Sequence, residues 1–333
     1  MGAFARHRLC QGEAGMSGFL AFIGAHGIIA PDYLTPGKWQ RCRTENHPRK
    51  KNGSIKLADD GQVGWCQDYA VHAEPLMWRA GRAGALAAPL ERALIARRQA
   101  ERRAALAAAT LSARSRYAQC APLRNEHPYL AGKGFGVAGC HGLRVDAAGA
   151  LVVPMLCDGA ILSLQRIAAD GEKRFHPGAT TRGACYVIER PGATLTAFAE
   201  GFATGLTIFH AVPACRVVVA FNAGNLPVVA SARRPAGLAV VCADNDWETA
   251  ARIGRNPGLE YARAAAALLG VGVAYPECAG SDWNDYLSTQ LEARAAALRP
   301  GLRHGHAILQ MQAGVFAEIK HKVMREARLV RPM

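Results

Sequence analysis

Four short apolar runs, separated by helix-like stretches, dominate the second half of the chain: Leu195–Ala199, residues 216–221, residues 238–243 and residues 271–275. Runs this short, with so few polar interruptions, suit strands buried on both faces. Between them, residues 203–210 and 225–234 are helix-like. Pro257–Leu269 is an Ala-rich helix, with Asn256 placed to cap its start and Gly270 to end it. The resulting β-α-β-α-β-α-β order predicts an α/β domain over residues 193–290, a parallel sheet flanked by helices.

The first half is patterned differently. Residues 122–192 are expected to form a mixed α+β subdomain. In it Leu151-Val152-Val153-Pro154-Met155 and Ile161-Leu162-Ser163-Leu164-Gln165-Arg166 are strands joined at Cys157-Asp158-Gly159, and a turn at Asp170-Gly171 leads into Lys173-Arg174-Phe175. Residues 82–120 are rich in Ala, Leu and Arg and predict a long helix, broken only by Pro89 and stopped by Pro122. It occupies a basic linker segment, residues 79–121, whose Arg face is either solvated or laid along nucleic acid. Residues 1–78 form a small, turn-rich region. Basic clusters there (Lys38 to Arg43, Arg49 to Lys51) interleave with Trp39, Trp65 and Tyr69. Two readings stand: a surface gripping single strands through phosphates and stacked bases, or a small sheet with core aromatics and solvated charges. Residues 291–333 predict a basic helical tail.

Charge sharpens this picture. The chain has 333 residues, 40 Lys+Arg against 26 Asp+Glu, and a net charge of +14. Residues 79–116 hold nine Arg and two Glu, a net +7, so about half of the excess lies in one segment. Such a balance suits a polyanionic partner, because each neutralised phosphate releases counterions. Residues 19–30 follow Arg6 and Arg8 in the manner of a signal peptide. Gly24, His26 and Gly27 interrupt them and no tidy cleavage site follows, so an amphipathic helix ending at Gly27 is expected. No run is long enough to span a membrane. The ten cysteines form no C-x-x-C pair, and several lie inside apolar runs. That pattern predicts reduced thiols in a cytoplasmic protein and no zinc ribbon. Only Cys42 with His47, and Cys140 with His141, are ligand-like neighbours.

The candidate chemistry sits where strands end. In an open α/β sheet, functional groups gather beyond the carboxyl ends of the strands. Here Glu200 follows the first strand and Asp244-Asn245-Asp246 the third. Two carboxylates at Asp-x-Asp spacing can turn toward one cation, and carboxylate oxygens are what Mg²⁺ prefers, with Mn²⁺ as a substitute. Without a cation they repel one another and raise each other's pKa. Asp282 and Asp285, after the last strand, can complete a second metal position. An acid at a strand end also commonly caps the following turn; what makes these notable is their recurrence on successive strands.

These residues resemble a known family. Glu200-Gly201-Phe202-Ala203-Thr204-Gly205 is similar to the E-G-Y-A-T-[GA] motif of primases from conjugative plasmids and satellite phages, with Phe202 in place of the usual Tyr. Asp244-Asn245-Asp246 resembles the second Toprim motif, and Asp282-Trp283-Asn284-Asp285 the D-[FW]-N-D ending of that group. Upstream, the stretch from His127-Pro128-Tyr129-Leu130 to Lys133-Gly134 resembles the opening of its DnaG-like catalytic core, and residues 153–178 its basic region. The resemblance covers about residues 120–290. It implies a Toprim catalytic domain at 193–290, with Glu200 as metal ligand and acid or base, Asp244 and Asp246 as ligands, and Asp282 or Asp285 assisting. It implies that Arg166, Lys173, Arg174 and Lys133 hold template or nucleoside triphosphate. The implied activity is primer synthesis: short RNA made on a single-stranded DNA template by Mg²⁺-dependent nucleotidyl transfer, during replication of a mobile element. Many such proteins carry a zinc module, which these cysteines do not build. No G-x-x-x-x-G-K-[ST] is present, so a helicase would be a separate partner. The alternatives are a Toprim-type metal-dependent nuclease and a non-catalytic nucleic-acid-binding protein.

Overall fold

Continuous apolar strands need cover on both faces, and that requirement sets the layering of the second half of the chain. The structure, a computed structural model, describes residues 13–31, 33–80, 87–277, 282–297 and 304–329. Arg6, Arg8, Cys10, Cys278 and the Gly280-Ser281 pair lie outside the described residues. The chain divides into two units, Met1–Gln99 and Ala100–Met333.

In the first unit, helix α1 (Glu13–Ala25) precedes five strands: β1 (Ile28–Ile29), β2 (Gln40–Thr44), β3 (Gly53–Leu57), β4 (Val63–Asp68) and β5 (Leu76–Arg79). They pair antiparallel in sequence order. One face packs on α1 through Phe19, Ile23, Cys42, Ile55, Leu57 and Cys66, all buried, with Trp78 against them. A side chain at Gly64 would collide with the Phe19 ring, so glycine lets the helix sit close on the strand. The helix expected to end at Gly27 is α1, and Gly27 follows it with φ +68°.

Helix α2 (Ala87–Gln119) runs across the division between the units. The boundaries expected at 79 and 121 therefore do not coincide with it. Nor does the C-terminal part of α2 stand wholly in solvent, as a plain linker would. Thr110 Oγ1 donates to the Leu162 carbonyl at 3.3 Å, Arg114 Nε to that of Ile161 at 2.9 Å, and Ala113 is buried.

The second unit opens with β6 (Ala121–Pro122), α3 (Pro128–Gly132), β7 (Arg144–Val145), β8 (Leu151–Cys157), β9 (Ala160–Ile167) and β10 (Lys173–Phe175). These strands form an antiparallel sheet in the order β10-β9-β8-β7-β6. Asp158 and Gly159, with φ of +48° and +78°, make the tight turn between β8 and β9 that the sequence predicts.

The following elements are β11 (Tyr186–Ile188), β12 (Leu195–Ala199), α4 (Phe202–Ala211), β13 (Cys215–Val219), α5 (Leu226–Ala232), β14 (Leu238–Cys242), α6 (Trp247–Ile253), α7 (Pro257–Leu269), β15 (Val273–Ala274), α8 (Trp283–Ala296) and α9 (His304–Ala327). The sheet order is β11-β13-β12-β14-β15, with β12 to β15 parallel and β11 antiparallel at one edge. This is the expected parallel sheet flanked by helices. Helix α4, with α8 and α9, covers one face; α5 and α7 cover the other. The chain goes from β12 to β13 on one side, then crosses back to β14 on the other. With right-handed connections the helices after β12 and β14 must leave on opposite faces. A crevice is left at the carboxyl ends of these two neighbours, the usual position for a ligand in such a sheet.

Three local differences from expectation have clear causes. Strand β13 stops at Val219, because Phe221 adopts φ +70° and turns the chain. The last strand shrinks to Val273–Ala274, an edge with a single neighbour. The boundary expected at 290 falls inside α8, so the tail is not separate from the helix that carries the last acidic motif.

Candidate active site

Glu200 leaves β12 into the crevice. Its carbonyl accepts the Phe221 N–H at 2.7 Å, so the turn after β13 is held against the end of β12. Burial, followed by the charge of Asp246, pushes the Glu200 carboxyl up to about 7; an N–H from Ala223 and the ammonium of Lys173 work the other way. Lys173 lies on β10 of the upstream sheet, which is therefore near enough for its charge to be felt at Glu200.

Asp244 follows β14. Burial holds its carboxyl well above the usual carboxylate range, reinforced by Glu200, Asp282 and Asp246. Thr204 Oγ1, in the first turn of α4, donates to Asp244 Oδ1 at 2.7 Å. Asp246 is engaged from the opposite face: the Gly258 N–H, in the first turn of α7, donates to its Oδ2 at 3.0 Å. A Cβ on Gly258 would stand 2.5 Å from the Asp244 carbonyl oxygen, so this approach requires glycine. Gly205 is under a similar constraint, since a Cβ there would lie 2.7 Å from Val219 and lift α4 off the sheet.

Asp282 caps α8, its Oδ1 accepting the N–H groups of Asn284 at 2.7 Å and Asp285 at 2.8 Å. Burial raises its carboxyl, while the Asp285 N–H, and less strongly Lys133 and the Asn284 N–H, work the other way. Asn284 is buried and donates from Nδ2 to the Lys133 carbonyl at 2.9 Å. Lys133 Nζ lies 3.9 Å from Asp285 Oδ1. The two motifs, far apart in sequence, thus meet in space. The upstream one is largely structural: His127 caps α3 by accepting the Tyr129 N–H at 3.2 Å, Pro128 opens the helix, and Tyr129 and Leu130 are buried.

Glu200, Asp244, Asp246 and Asp282 are therefore brought together electrostatically. Lys173 joins them at Glu200, and Asp285 and Lys133 join at the rim. Arg166 and Arg174 are differently placed. Arg166 Nε donates to Asp146 Oδ2 at 2.5 Å, and Arg116 also approaches that carboxylate at 3.5 Å. Burial works to raise the Asp146 carboxyl, but Arg166 and the N–H groups of Ala150 and Ala148 outweigh it and hold it low. Arg174 is exposed and pairs with Glu172 at 2.7 Å. Sequence reasoning named Thr204 only as a position of the E-G-Y-A-T-like motif, without a role, and did not single out Gly258 or Asp146. Only an acid opening a turn, Asp146-Ala147-Ala148-Gly149, hinted at the last of these.

Among the described residues no three of His, Cys, Asp and Glu converge closely enough to form a ready-made cage. Thr204 and Gly258 each occupy one carboxylate oxygen. The donors are nonetheless oxygens only, the negative charge is buried, and Lys173 is the cation acting on Glu200. A hard divalent cation fits this set better than a soft metal. Cys42 and Cys140, each buried, are pushed up to about 11 and about 12 by burial, so neither offers a ready thiolate.

The Toprim domain family matches residues 196–293. Two DNA primases TraC of Escherichia coli are related in sequence. One is 30% identical over 265 residues, covering 73% of this chain and 24% of that protein. The other is 30% identical over 168 residues, covering 48% and 11%. The chain thus spans about a quarter or less of the length of these relatives. Among solved structures, the primase fragment of the bacteriophage T7 primase-helicase protein overlaps 56% of this chain and 74% of its own, at 15% identity and a TM-score of 0.37. Residues 196–293 match the Toprim domain, and across 265 residues the chain that carries it is similar in sequence to a DNA primase TraC.

Proposed function

We propose that the chain is a primase that synthesises short RNA primers on single-stranded DNA from nucleoside triphosphates. The observation that supports this reading is that Lys173, on the upstream basic hairpin, is near enough for its charge to act on Glu200 among the acids of the Toprim domain. A nuclease needs the acids; a polymerising enzyme also needs a basic surface to hold the incoming triphosphate beside them.

In this scheme residues 193–290 supply the acids and residues 122–192 the basic wall. Asp244 and Asp246 are the main metal ligands, Glu200 is a ligand and an acid or base, and Asp282 and Asp285 assist. When bound there, Mg²⁺ or Mn²⁺ offsets the charge that builds on the transferred phosphoryl group. Lys173, whose charge acts on Glu200, steadies the triphosphate, and Arg174 and Lys133 extend the basic path. Arg166 contributes by fixing β9 through Asp146. A 3′-hydroxyl attacks the α-phosphorus, pyrophosphate leaves, and the hydroxyl proton passes to a base, for which Glu200 is the candidate. A separate helicase opens the duplex, and the reaction belongs to the cytoplasm. No described helix is long and apolar enough to cross a membrane.

The test is nucleotide incorporation on single-stranded DNA with Mg²⁺ or Mn²⁺. Wild type yields short RNA, and Asp244→Asn lowers the yield at least about a hundredfold, the scale expected for loss of a group acting in the transition state. Metal-dependent cutting of the template without RNA synthesis would assign the site to a nuclease instead.

A further inference from the structure

The upstream sheet of the second unit carries buried polar groups that the catalytic reading does not use. Strand register sorts the residues of β8, β9 and β10 between two faces. Val152 and Leu164 pack with Ala113 and Cys120, against the end of α2. Arg166, opposite Val152, lies on that side. The alternate residues Leu151, Val153, Met155 and Ile167 join the core of the parallel sheet instead. Ser163 and Gln165 share this second face, because they stand opposite Met155 and Val153. Lys173 stands opposite Ile167, and Phe175 opposite Gln165, so both belong to it as well.

Gln165 is only 5% exposed, yet its side-chain carbonyl oxygen has no hydrogen-bond partner, and the buried Ser163 hydroxyl beside it has none either. A buried polar atom left unpaired costs free energy, so each one calls for a reason. Gln165 Oε1 can only accept, and whatever completes it must be a donor. Lys173 narrows the choice, because its charge acts on Glu200 and this face therefore adjoins the acids. Gln165 and Lys173 are diagonal neighbours across β9 and β10. Such neighbours stand roughly 7–8 Å apart, the scale on which a nucleoside triphosphate separates its phosphates from its sugar. The phosphates take the cation and have no donor to offer Gln165. Bases differ in their donors, whereas every ribonucleotide brings the same ribose hydroxyls. Of these, the 3′-hydroxyl must face the acids when it becomes the nucleophile, which leaves the 2′-hydroxyl free for a standing contact. Phe175, 39% exposed and directly opposite Gln165, supplies apolar surface for the nucleoside to lean on.

We infer that Gln165 selects ribonucleotides over deoxyribonucleotides, its side-chain carbonyl accepting a hydrogen bond from the ribose 2′-hydroxyl while Lys173 holds the phosphates of the same nucleotide. This rests on the proposed primase reading and adds to it the group that tells one sugar from the other. The contact is made to the sugar and not to the reacting atoms, so Gln165 governs affinity and leaves the chemical step alone.

The experiment measures the binding of ATP, 2′-deoxy-ATP and 3′-deoxy-ATP to the full chain by calorimetry, without DNA and with Ca²⁺ in place of Mg²⁺. Wild type is compared with Gln165→Met, which keeps the length and volume of the side chain and removes its polar atoms. The variant should melt no lower than wild type, since an unpaired buried polar atom gives way to an apolar one. Wild type is expected to bind ATP roughly two- to tenfold more tightly than 2′-deoxy-ATP, the scale of one neutral hydrogen bond. It should bind 3′-deoxy-ATP as it binds ATP. In Gln165→Met the preference for ATP over 2′-deoxy-ATP should vanish, with the affinity for 2′-deoxy-ATP unchanged. Equal binding of ATP and 2′-deoxy-ATP by wild type would overturn the inference without any variant. So would a preference in Gln165→Met that matches wild type, or an equal loss for all three nucleotides, which would make Gln165 a support of the fold. The incorporation assay reads the primase reading separately. RNA synthesis by wild type with an unaltered preference in Gln165→Met overturns this inference alone. Template cutting without RNA synthesis, with the ribose preference lost in Gln165→Met, overturns the primase reading and leaves the contact standing.

Discussion

Glu200 and Asp244 show what a buried acid costs before a cation arrives. Each ends an apolar strand, which made both visible in the sequence, whereas Thr204 was legible only as a motif position and the fold alone brought its hydroxyl to Asp244. A carboxyl whose value is raised in the folded state ionises at the expense of folding. For Glu200 that penalty is absent below about 4.5, the ordinary value, and complete above about 7. Metal-free protein should therefore lose stability as pH rises through this window, by up to ~3 kcal/mol from Glu200. Glu200→Gln should flatten that slope. Urea unfolding across the window, in chelator, measures it; equal slopes in wild type and variant would exclude Glu200 as the source.

Among elements, α8 is the one whose role the sequence left least visible. Its acidic motif was legible, but as a set of ligands. In the structure Asp282 caps the helix and Asn284 ties it to the loop after α3. Asn284→Ala leaves the Lys133 carbonyl without this donor and removes a contact to Thr207 Oγ1. The expected loss is about 1–3 kcal/mol, the cost of a buried polar group left unpaired. Denaturant unfolding reads it, and a loss below about 0.5 kcal/mol would show that water replaces the bond. The turn after β13 is a comparable case. Phe221 takes a backbone conformation that a bulky side chain rarely adopts, and its N–H reaches the Glu200 carbonyl. Strain of this kind persists where the surroundings over-determine it, and here it abuts the acids.

For the whole molecule, the balance between buried negative and exposed positive charge governs the response to ions. Every acid at the crevice favours a state with a cation bound. A ligand that binds only the folded state stabilises it by RT ln(1 + [L]/Kd). Each tenfold rise in free Mg²⁺ above Kd should add about 1.4 kcal/mol to stability and raise the melting temperature accordingly. Asp244→Asn should abolish that dependence while melting at or above the wild-type temperature in chelator, since one repelling charge is gone. A wild-type melting temperature indifferent to Mg²⁺ would remove the basis for the metal site.

Local pattern determined the local elements of this protein. Apolar runs marked β12 to β14, Asn256 and Gly270 bounded α7, Asp158-Gly159 turned the β8–β9 hairpin, and acids at strand ends marked the crevice. These features are readable because backbone propensity and burial periodicity act over a few residues. Only the tertiary structure decided which charges face which. It paired Arg166 with Asp146, placed Lys173 where its charge is felt at Glu200, joined Asn284 to Lys133 across 151 positions, and turned Trp65 outward while Trp78 packed on Phe19. The reason is that an ion pair or a buried amide depends on desolvation and on partners supplied from distant parts of the chain, which no local window contains.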